Sequence, residues 1–242
     1  MRRLIRFFIA SVLLNVSIQA TAQVQQSPDQ LVKGPATVST SILPPKESLA
    51  NDTFAVIERD TSFMQINTRL KLAATRLKEK TAGLGEYVKA NNFNAEYCFL
   101  VDMSIPSGKN RFFVYNIKKG AVELSSLVSH GKGSYKKGCN DILTFSNMPN
   151  SNATSVGKYK IGNPYYGTYG LSYKLYGLDS TNNKAFERAI VLHSDSYVPE
   201  SEIYPYPLYQ SAGCPVVSPS ILPVLGKYIK TSDKPILLWV YN

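Results

Sequence analysis

The sequence is poor in the side chains that most often carry catalysis and bind metals. Its 242 residues include only two histidines and three cysteines. The patterns His-Glu-x-x-His and Cys-x-x-Cys are missing, and so is a glycine-rich phosphate loop. These absences exclude the commonest zinc, dithiol and nucleotide sites. Chemistry that depends on an imidazole or a thiol has a short inventory: His130, His193, Cys98, Cys139 and Cys214.

Long apolar runs are also scarce, and the one at the start of the chain is short. Basic residues open it, an apolar stretch runs from Phe7 to Ile18, and Ala20–Ala22 has the small-x-small pattern of a cleavage site. A membrane-spanning helix needs about 20 apolar residues. We therefore predict a signal peptide over residues 1–22. The mature protein is then extracytoplasmic, either periplasmic or otherwise secreted, with no integral membrane segment.

Acidic residues are the charged type in short supply. Lys and Arg number 27 against 17 Asp and Glu, a formal net charge of +10. Export, together with basic residues that are scattered rather than striped, argues against a nucleic-acid partner. An anionic cell-envelope polymer suits this charge. A generally basic, solvated surface explains the charge equally well.

After the predicted signal peptide, the chain up to residue 94 contains two segments of different composition. Residues 23–46, rich in Pro, Ser and Thr, predict a flexible linker. Residues 47–94 predict a helical segment, because apolar residues recur there at a spacing of three to four: Phe63, Ile66, Leu70, Ala73 or Ala74, and Leu77. Gly83 and Gly85 interrupt the pattern, and a short helix is expected around Tyr87.

Residues 95–242 predict a mainly β domain. Short runs rich in β-branched and aromatic residues alternate with Gly, Asn, Ser and Pro clusters: YCFLVDM, RFFVYNI, AVELSSLVS, VGKYKIG, LSYKLYGL, AIVLH and PILLWVY. The second and third runs read as a hairpin. This spacing indicates a sandwich or barrel-like sheet with few helices. Ser218-Pro219 is expected to start one short helix, limited by Pro223.

Cys214 is the best candidate nucleophile. A reactive cysteine needs a neighbouring imidazole that lowers the thiol pKa and accepts its proton. His193 ends the run RAIVLH, where a buried strand emerges, and Cys214, within SAGCP, follows 21 residues later. A histidine at a strand end is by itself unremarkable in function. Gly213 permits unusual dihedrals, and the amides of Gly213 and Cys214 are candidates for an oxyanion hole.

These residues, together with many short matches in one order, resemble the murein L,D-transpeptidase catalytic domain family. The matches run from about Cys98 to Asn242 and include LVSHGKGS, SVGKYKIG, ERAIVLHSDSYV and SAGCPVVS. The branch that is common in Bacteroidetes is the more similar one, because proline follows its cysteine. Two positions depart from the family pattern. Ser194 stands where glycine usually follows the histidine, and Ala212 stands where an aromatic residue is usual.

The resemblance implies residue roles and a reaction. Cys214 would be the nucleophile, His193 its general base, Gly213 and Cys214 the oxyanion amides, and Ser211 a residue that steadies the loop. The thiolate would attack the third residue of a peptidoglycan tetrapeptide stem and release D-Ala. An amine of another stem, or water, would then resolve the thioester. This reaction needs no metal and no organic cofactor. Candidate substrate contacts are His130, Tyr166 and Ser194; for His130, packing at a strand end is the alternative.

The same residues bear on three other classes of protein: sortases, NlpC-type peptidases and non-enzymatic binding domains. A sortase needs an arginine after the cysteine, and the last arginine is Arg188. NlpC-type peptidases place cysteine before histidine. A catalytically degenerate envelope-binding domain stays open because of Ser194 and Ala212. In an oxidising compartment with Cys214 free, Cys98 and Cys139 are the available disulfide pair, and a buried strand thiol is the alternative for Cys98.

Overall fold

The computed structural model describes residues 67–136 and 139–242, apart from the side chains of residues 136–141. The predicted signal peptide, the predicted linker, Phe63 and Ile66 lie outside the described residues. The side chain of Cys139 lies outside them too. Predictions that concern these parts of the chain stay predictions.

The described residues form three α-helices, ten strands and one 3-10 turn. The helices are α1 (67–81), α2 (Leu84–Ala90) and α3 (Ile221–Lys230), and the 3-10 turn is Lys132–Ser134. The strands are β1 (Tyr97–Asp102), β2 (Phe112–Asn116), β3 (Ala121–Ser126), β4 (Tyr135–Lys136), β5 (Cys139–Leu143), β6 (Gly157–Gly167), β7 (Gly170–Gly177), β8 (Val191–Ser194), β9 (Val216–Val217) and β10 (Leu237–Tyr241).

Eight of the strands form one sheet in the order β3-β2-β1-β10-β6-β7-β8-β9. Neighbouring strands are antiparallel except for β1 with β10 and β8 with β9, which are parallel. The prediction of a mainly β fold with few helices is confirmed. All seven predicted runs contain a strand, and the predicted hairpin is β2–β3. The strands missed from sequence are β4, β5 and β9, and both β4 and β9 have only two residues, too few to show a period.

The central strands β1 and β10 are buried on both faces. Phe99 and Val101 of β1 belong to the main core, whereas Cys98 and Leu100 point into a second core that includes Leu84 of α2. Side chains of a strand alternate between faces, so a strand covered on both sides needs apolar residues at every position. Cys98 is a free, fully buried thiol. Of its two alternatives, the buried strand thiol is therefore the one observed.

Helix α1 is held against the sheet by a partly buried ion pair. Arg76 donates from Nε and Nη2 to Asp102 Oδ2, at 2.9 Å in both cases. The helical prediction is confirmed here, with Ala73 buried, although Leu70 is exposed. Gly83, with φ +72, separates α1 from α2. The short helix expected around Tyr87 is α2.

The two edges of the large sheet approach each other. Ser129, just after β3, donates its backbone N–H to Val216 O of β9 at 2.8 Å. Ser211 N–H donates to His130 O at 2.8 Å, and Gly131 forms a parallel bridge with Ser211. These bonds curl the sheet, in keeping with the barrel-like expectation, and they fix the segment that leads to Cys214.

Helix α3 follows β9. Its backbone amides at Ile221 and Leu222 donate to Ser218 O. Pro223 lies in the first turn, where its missing N–H has no helical partner to lose, so the helix continues for 10 residues. Within the described part of the chain, no helix is long and apolar enough to cross a membrane.

Candidate active site

Parallel pairing of β8 with β9 places Cys214 beside the strand that carries His193. His193 is the register partner of Val216. Cys214, two residues before Val216, consequently lies next to Val191, whose N–H is 3.4 Å from Cys214 Sγ. Residues 195–215 connect the two strands, and the chain enters β9 running in the same direction as β8. The structure therefore brings the predicted nucleophile to the strand that carries the predicted base, at the edge of the large sheet.

The proton of the His193 imidazole is on Nδ1. Nδ1 lies 3.2 Å from the backbone carbonyl of Ser194, and a carbonyl can only accept a hydrogen bond. The lone pair is then on Nε2. Burial lowers the pKa of His193, and the Ser194 carbonyl and Asp195 oppose this shift. The ring is consequently neutral at neutral pH and can accept a proton at Nε2.

The Cys214 thiol is almost buried, with 8% exposure. Burial raises its pKa, while the Val191 N–H and the positive charge of Arg188 act to lower it. The resting thiol is thus protonated at neutral pH and needs a base. Its Sγ accepts from Val191 N–H and lies 3.9 Å from Ala189 O. Among the described contacts, no hydrogen bond joins Sγ to the His193 ring.

Arg188 is a residue that sequence reasoning missed. It precedes β8 and donates from Nη2 to Ala153 O at 2.6 Å, and from Nη1 to Ser146 O at 2.9 Å and to Ser155 Oγ. Its charge is close enough to act on the Cys214 thiol. Sequence reasoning considered only an arginine that follows Cys214. Arg188 precedes Cys214 in the chain but lies close to it in the fold. A charged residue directly before a buried apolar strand was the available signal.

The loop around Cys214 is tightly packed. Ser211 Oγ accepts from Gly213 N–H at 3.1 Å and donates to Cys214 O at 2.7 Å. Gly213 has φ +119, and a Cβ there would lie 2.9 Å from Ala153 O. A Cβ at Gly131 would lie 2.8 Å from Gly213 Cα. Glycine is required at both positions because neighbouring backbone approaches so closely.

The β6–β7 hairpin covers His193. The ring of Tyr169, in its tight turn, stacks on the imidazole with centroids 4.2 Å apart and planes at 19°. Tyr166, the hairpin residue singled out from sequence, is 85% exposed. Ser194 contributes its carbonyl to His193, and Ala212 is exposed at the loop surface. Within YYGTYG, the turn position of Tyr169 was the overlooked signal.

His130 does not join the Cys214–His193 pair. Its ring lies against Arg111 in a pocket also lined by Tyr204 and Tyr206. Within the described part of the chain, no group of three or more His, Cys, Asp or Glu side chains is placed to hold a metal ion.

Replacing Arg188 by methionine is expected to raise the thiol pKa of Cys214 further, because a nearby positive charge favours the thiolate. Arg188→Lys should leave the pKa nearer its original value. The measurement is a pH titration of ultraviolet thiolate absorbance, taken as the difference between each protein and its Cys214→Ala counterpart. Arg69→Met, which removes the same charge from α1, is the control. An unchanged or lower titration midpoint in folded Arg188→Met protein would contradict the electrostatic effect.

Residues 68–241 match the family model of the L,D-transpeptidase catalytic domain (YkuD_2). The match starts in α1, ahead of the Cys98 start of the sequence resemblance. No curated protein matches the chain. Among solved structures, the chain is similar to an L,D-transpeptidase from Xylanimonas cellulosilytica, with 14% identity and a TM-score of 0.35, covering 60% of each chain.

Two further solved structures resemble the chain to a similar degree. The helical cell shape determining protein Pgp2 from Campylobacter jejuni shows 12% identity and a TM-score of 0.39, covering 61% of this chain and 48% of that one. Bdellovibrio bacteriovorus Bd1075 shows 17% identity and a TM-score of 0.38, covering 62% and 51%. The chain thus spans between 48% and 60% of the length of these three structures.

Proposed function

Given that this chain belongs to the L,D-transpeptidase catalytic domain family, we propose that it modifies peptidoglycan through a thioester on Cys214. The observation that carries the proposal is the β8–β9 pairing, which sets the Cys214 thiol beside the strand of a neutral His193 whose Nε2 lone pair is available. Family membership supports a peptidoglycan-modifying role. Because peptidoglycan is extracytoplasmic, the proposed location is the periplasm or another exported compartment, reached by the predicted signal peptide.

The first step is acylation. Cys214 Sγ leaves the Val191 N–H and attacks the carbonyl of the third residue in a donor tetrapeptide stem. As the S–C bond forms, the thiol passes its proton to His193 Nε2. His193 returns the proton to the amine of the departing D-Ala, and the acyl group remains on sulfur. The raised thiol pKa and the lowered imidazole pKa both favour a neutral resting pair, so the base acts during the attack rather than before it.

The oxyanion formed in this step needs hydrogen-bond donors. The amides of Cys214 and Gly213 are the proposed pair. Gly213 N–H is occupied by Ser211 Oγ at 3.1 Å, so the oxyanion must compete for that amide. Ser211, which also donates to Cys214 O, keeps the loop in place during the exchange.

Substrate contacts are proposed around the rim of this pair. Tyr169 covers His193 and would shield the transferring proton from water. Tyr166 and Ser194 remain proposed contacts. Ala212 is exposed, so the absence of the family's usual aromatic side chain removes surface at the rim without disturbing the core.

The decisive experiment is mass analysis of purified protein incubated with a disaccharide-tetrapeptide. The expected result is loss of one D-Ala together with a cross-linked dimer, through acyl transfer to a side-chain amine of a second stem. A pentapeptide stem should not react, because an extra D-Ala displaces the scissile bond and enlarges the leaving group. This discrimination should appear in the acylation step.

The same experiment separates the alternatives. D-Ala release without a dimer identifies an L,D-carboxypeptidase, in which water resolves the thioester. If folded protein with a reduced Cys214 releases no D-Ala, the enzymatic proposal is wrong. The chain is then an envelope-binding domain that retains the fold.

A further inference from the structure

A pocket with both polar and apolar side chains in its walls lies beside the Cys214 loop. Its volume is ≈ 230 Å³, and its walls come from the β1–β2 connection, the segment 204–207 and the residues Arg111, His130 and Gln210. Gln210 immediately precedes Ser211, and Ser211 N–H donates to His130 O. The pocket and the Cys214 loop therefore share a backbone connection. Of the described residues that line it, Arg111 alone carries a full charge at neutral pH.

Arg111 places a positive charge in the wall of this pocket, and within the described part of the chain no carboxylate is hydrogen-bonded to it. Its side chain is fully buried and donates to Val128 O, at 3.0 and 2.8 Å, and to Ile105 O at 3.3 Å. Burial lowers the pKa of Arg111 to about 9, so the guanidinium stays charged at neutral pH. Asp102 is near enough to oppose that shift, but its carboxylate is bonded to Arg76.

His130 presents a hydrogen-bond donor in this pocket. Arg111 Nη2 is 2.9 Å from His130 Nδ1, and a guanidinium can only donate. Nδ1 is therefore the acceptor, and Nε2 carries the proton, the opposite tautomer from His193. Burial, and secondarily the charge of Arg111, lower the pKa of His130 to about 3, so the ring is neutral.

The Nε2–H of His130 has no partner among the described residues, although the side chain is only 4% exposed. A buried donor without an acceptor is unfavourable, and native proteins rarely leave one unsatisfied. A ligand that accepts a hydrogen bond would remove this penalty. A negatively charged acceptor would also balance the charge of Arg111.

We propose that the pocket binds a carboxylate, which accepts the His130 Nε2–H bond beside the positive charge of Arg111. Tyr135, Tyr204 and Tyr206 line the remaining wall and suit a small organic group attached to that carboxylate. Its source, resting on the proposed function, is the C-terminal carboxylate of a peptidoglycan stem peptide. A free small carboxylate has the same recognition chemistry.

The experiment uses the full chain, selectively ¹⁵N-labelled at histidine, with Cys214→Ala to prevent turnover. The sequence contains only two histidines, so their ring signals can be assigned. N-acetyl-D-alanine is titrated against its uncharged amide, N-acetyl-D-alaninamide. The expected result is a saturable shift of the His130 Nε2 signal with the acid, weak or no shift with the amide, and a smaller response at His193.

Titration with acetate, the third ligand, shows whether the bound carboxylate belongs to a peptide end or to a free small molecule. Weaker binding of acetate assigns the pocket to peptide ends, whereas equal binding supports the carboxylate site and assigns it to free carboxylates. No His130 shift with any acid, or equal shifts with acid and amide, would overturn the proposal. These outcomes are independent of D-Ala release, because the protein titrated has no nucleophile.

Variants of His130 provide a second readout. His130→Phe keeps an aromatic ring but removes the donor, and we expect carboxylate binding to weaken by about tenfold or more, as for the loss of a charge-assisted hydrogen bond. His130→Gln supplies another N–H donor and should retain more of the binding. Calorimetric binding and thermal unfolding are measured on both, with Met148→Leu, an exposed position outside the pocket, as a surface control. If His130→Phe does not fold, the contrast between acid and amide still decides the matter.

Discussion

Replacing Cys214 or His193 by alanine is expected to abolish acylation by a tetrapeptide donor while leaving the fold intact. Loss of a nucleophile or its base reduces rates by roughly 10³-fold or more, and the two losses are not additive. The double variant should therefore be no worse than either single variant. Intact-mass measurement of the acyl-enzyme and single-turnover D-Ala release provide the two readouts.

Cys98→Ala is the matched control for this prediction. Cys98 is the other cysteine whose side chain the structure describes, and burial raises its thiol pKa far above the ordinary range, so it is inert at neutral pH. Its replacement should lower stability through the cavity that it leaves in the second core, but acylation should persist. If acylation survived Cys214→Ala and disappeared in folded Cys98→Ala protein, the nucleophile would be Cys98. Cys98 lies in the second core, away from Cys214. The proposed mechanism would then be untenable.

Gly213→Ala is expected to slow acylation by about 10²-fold, the effect of misplacing a catalytic group by about 1 Å. The added Cβ would lie 2.9 Å from Ala153 O and 3.2 Å from Arg188 Nη2, so the Cys214 loop must move. The φ of +119 is also strongly unfavourable for a residue with a side chain. Acylation kinetics and thermal unfolding, measured on the same preparation, separate displacement of the loop from loss of fold.

Gly170→Ala is the control for backbone conformation. Gly170 has φ +69 in the β6–β7 turn, and an added Cβ there meets no atom within 4 Å. Its replacement should cost about 1–3 kcal/mol of stability at most, through the positive φ alone. A Gly213→Ala protein that acylates at the original rate would show that the close approach of Ala153 and Arg188 does not position Cys214.

The sequence was sufficient for the sheet because its strands carry local signals. The runs over β1, β2 and β10 are apolar on both faces, and Gly120 marks the β2–β3 turn with φ +65. Helix α2 was also foreseeable from Gly83 and the apolar residues beyond it. Strand β9 has only two residues, and its partner β8 is reached by long-range parallel pairing. Such pairing leaves no period in the sequence.

The residues of the candidate site also differ in how far the sequence alone reveals them. His193 and Cys214 could be named from sequence, since their residue types and spacing are sufficient to suggest a nucleophile and a base. Tyr169 and Arg188 have only weak local signals, because their relevance depends on a hairpin stacking over His193 and on a side chain reaching the loop around Cys214.

By itself the sequence determined the β-rich domain, the candidate pair and the family resemblance, all of which rest on residue type, local spacing and order along the chain. Only the tertiary structure decided what each histidine can do. The Ser194 carbonyl places the proton of His193 on Nδ1, whereas the Arg111 guanidinium places the proton of His130 on Nε2. One ring is thereby left with a lone pair that can accept a proton, and the other with a buried donor in a pocket. The physical reason is that a tautomer depends on the hydrogen-bonding partner of the ring, and for His130 that partner lies 19 residues away in sequence.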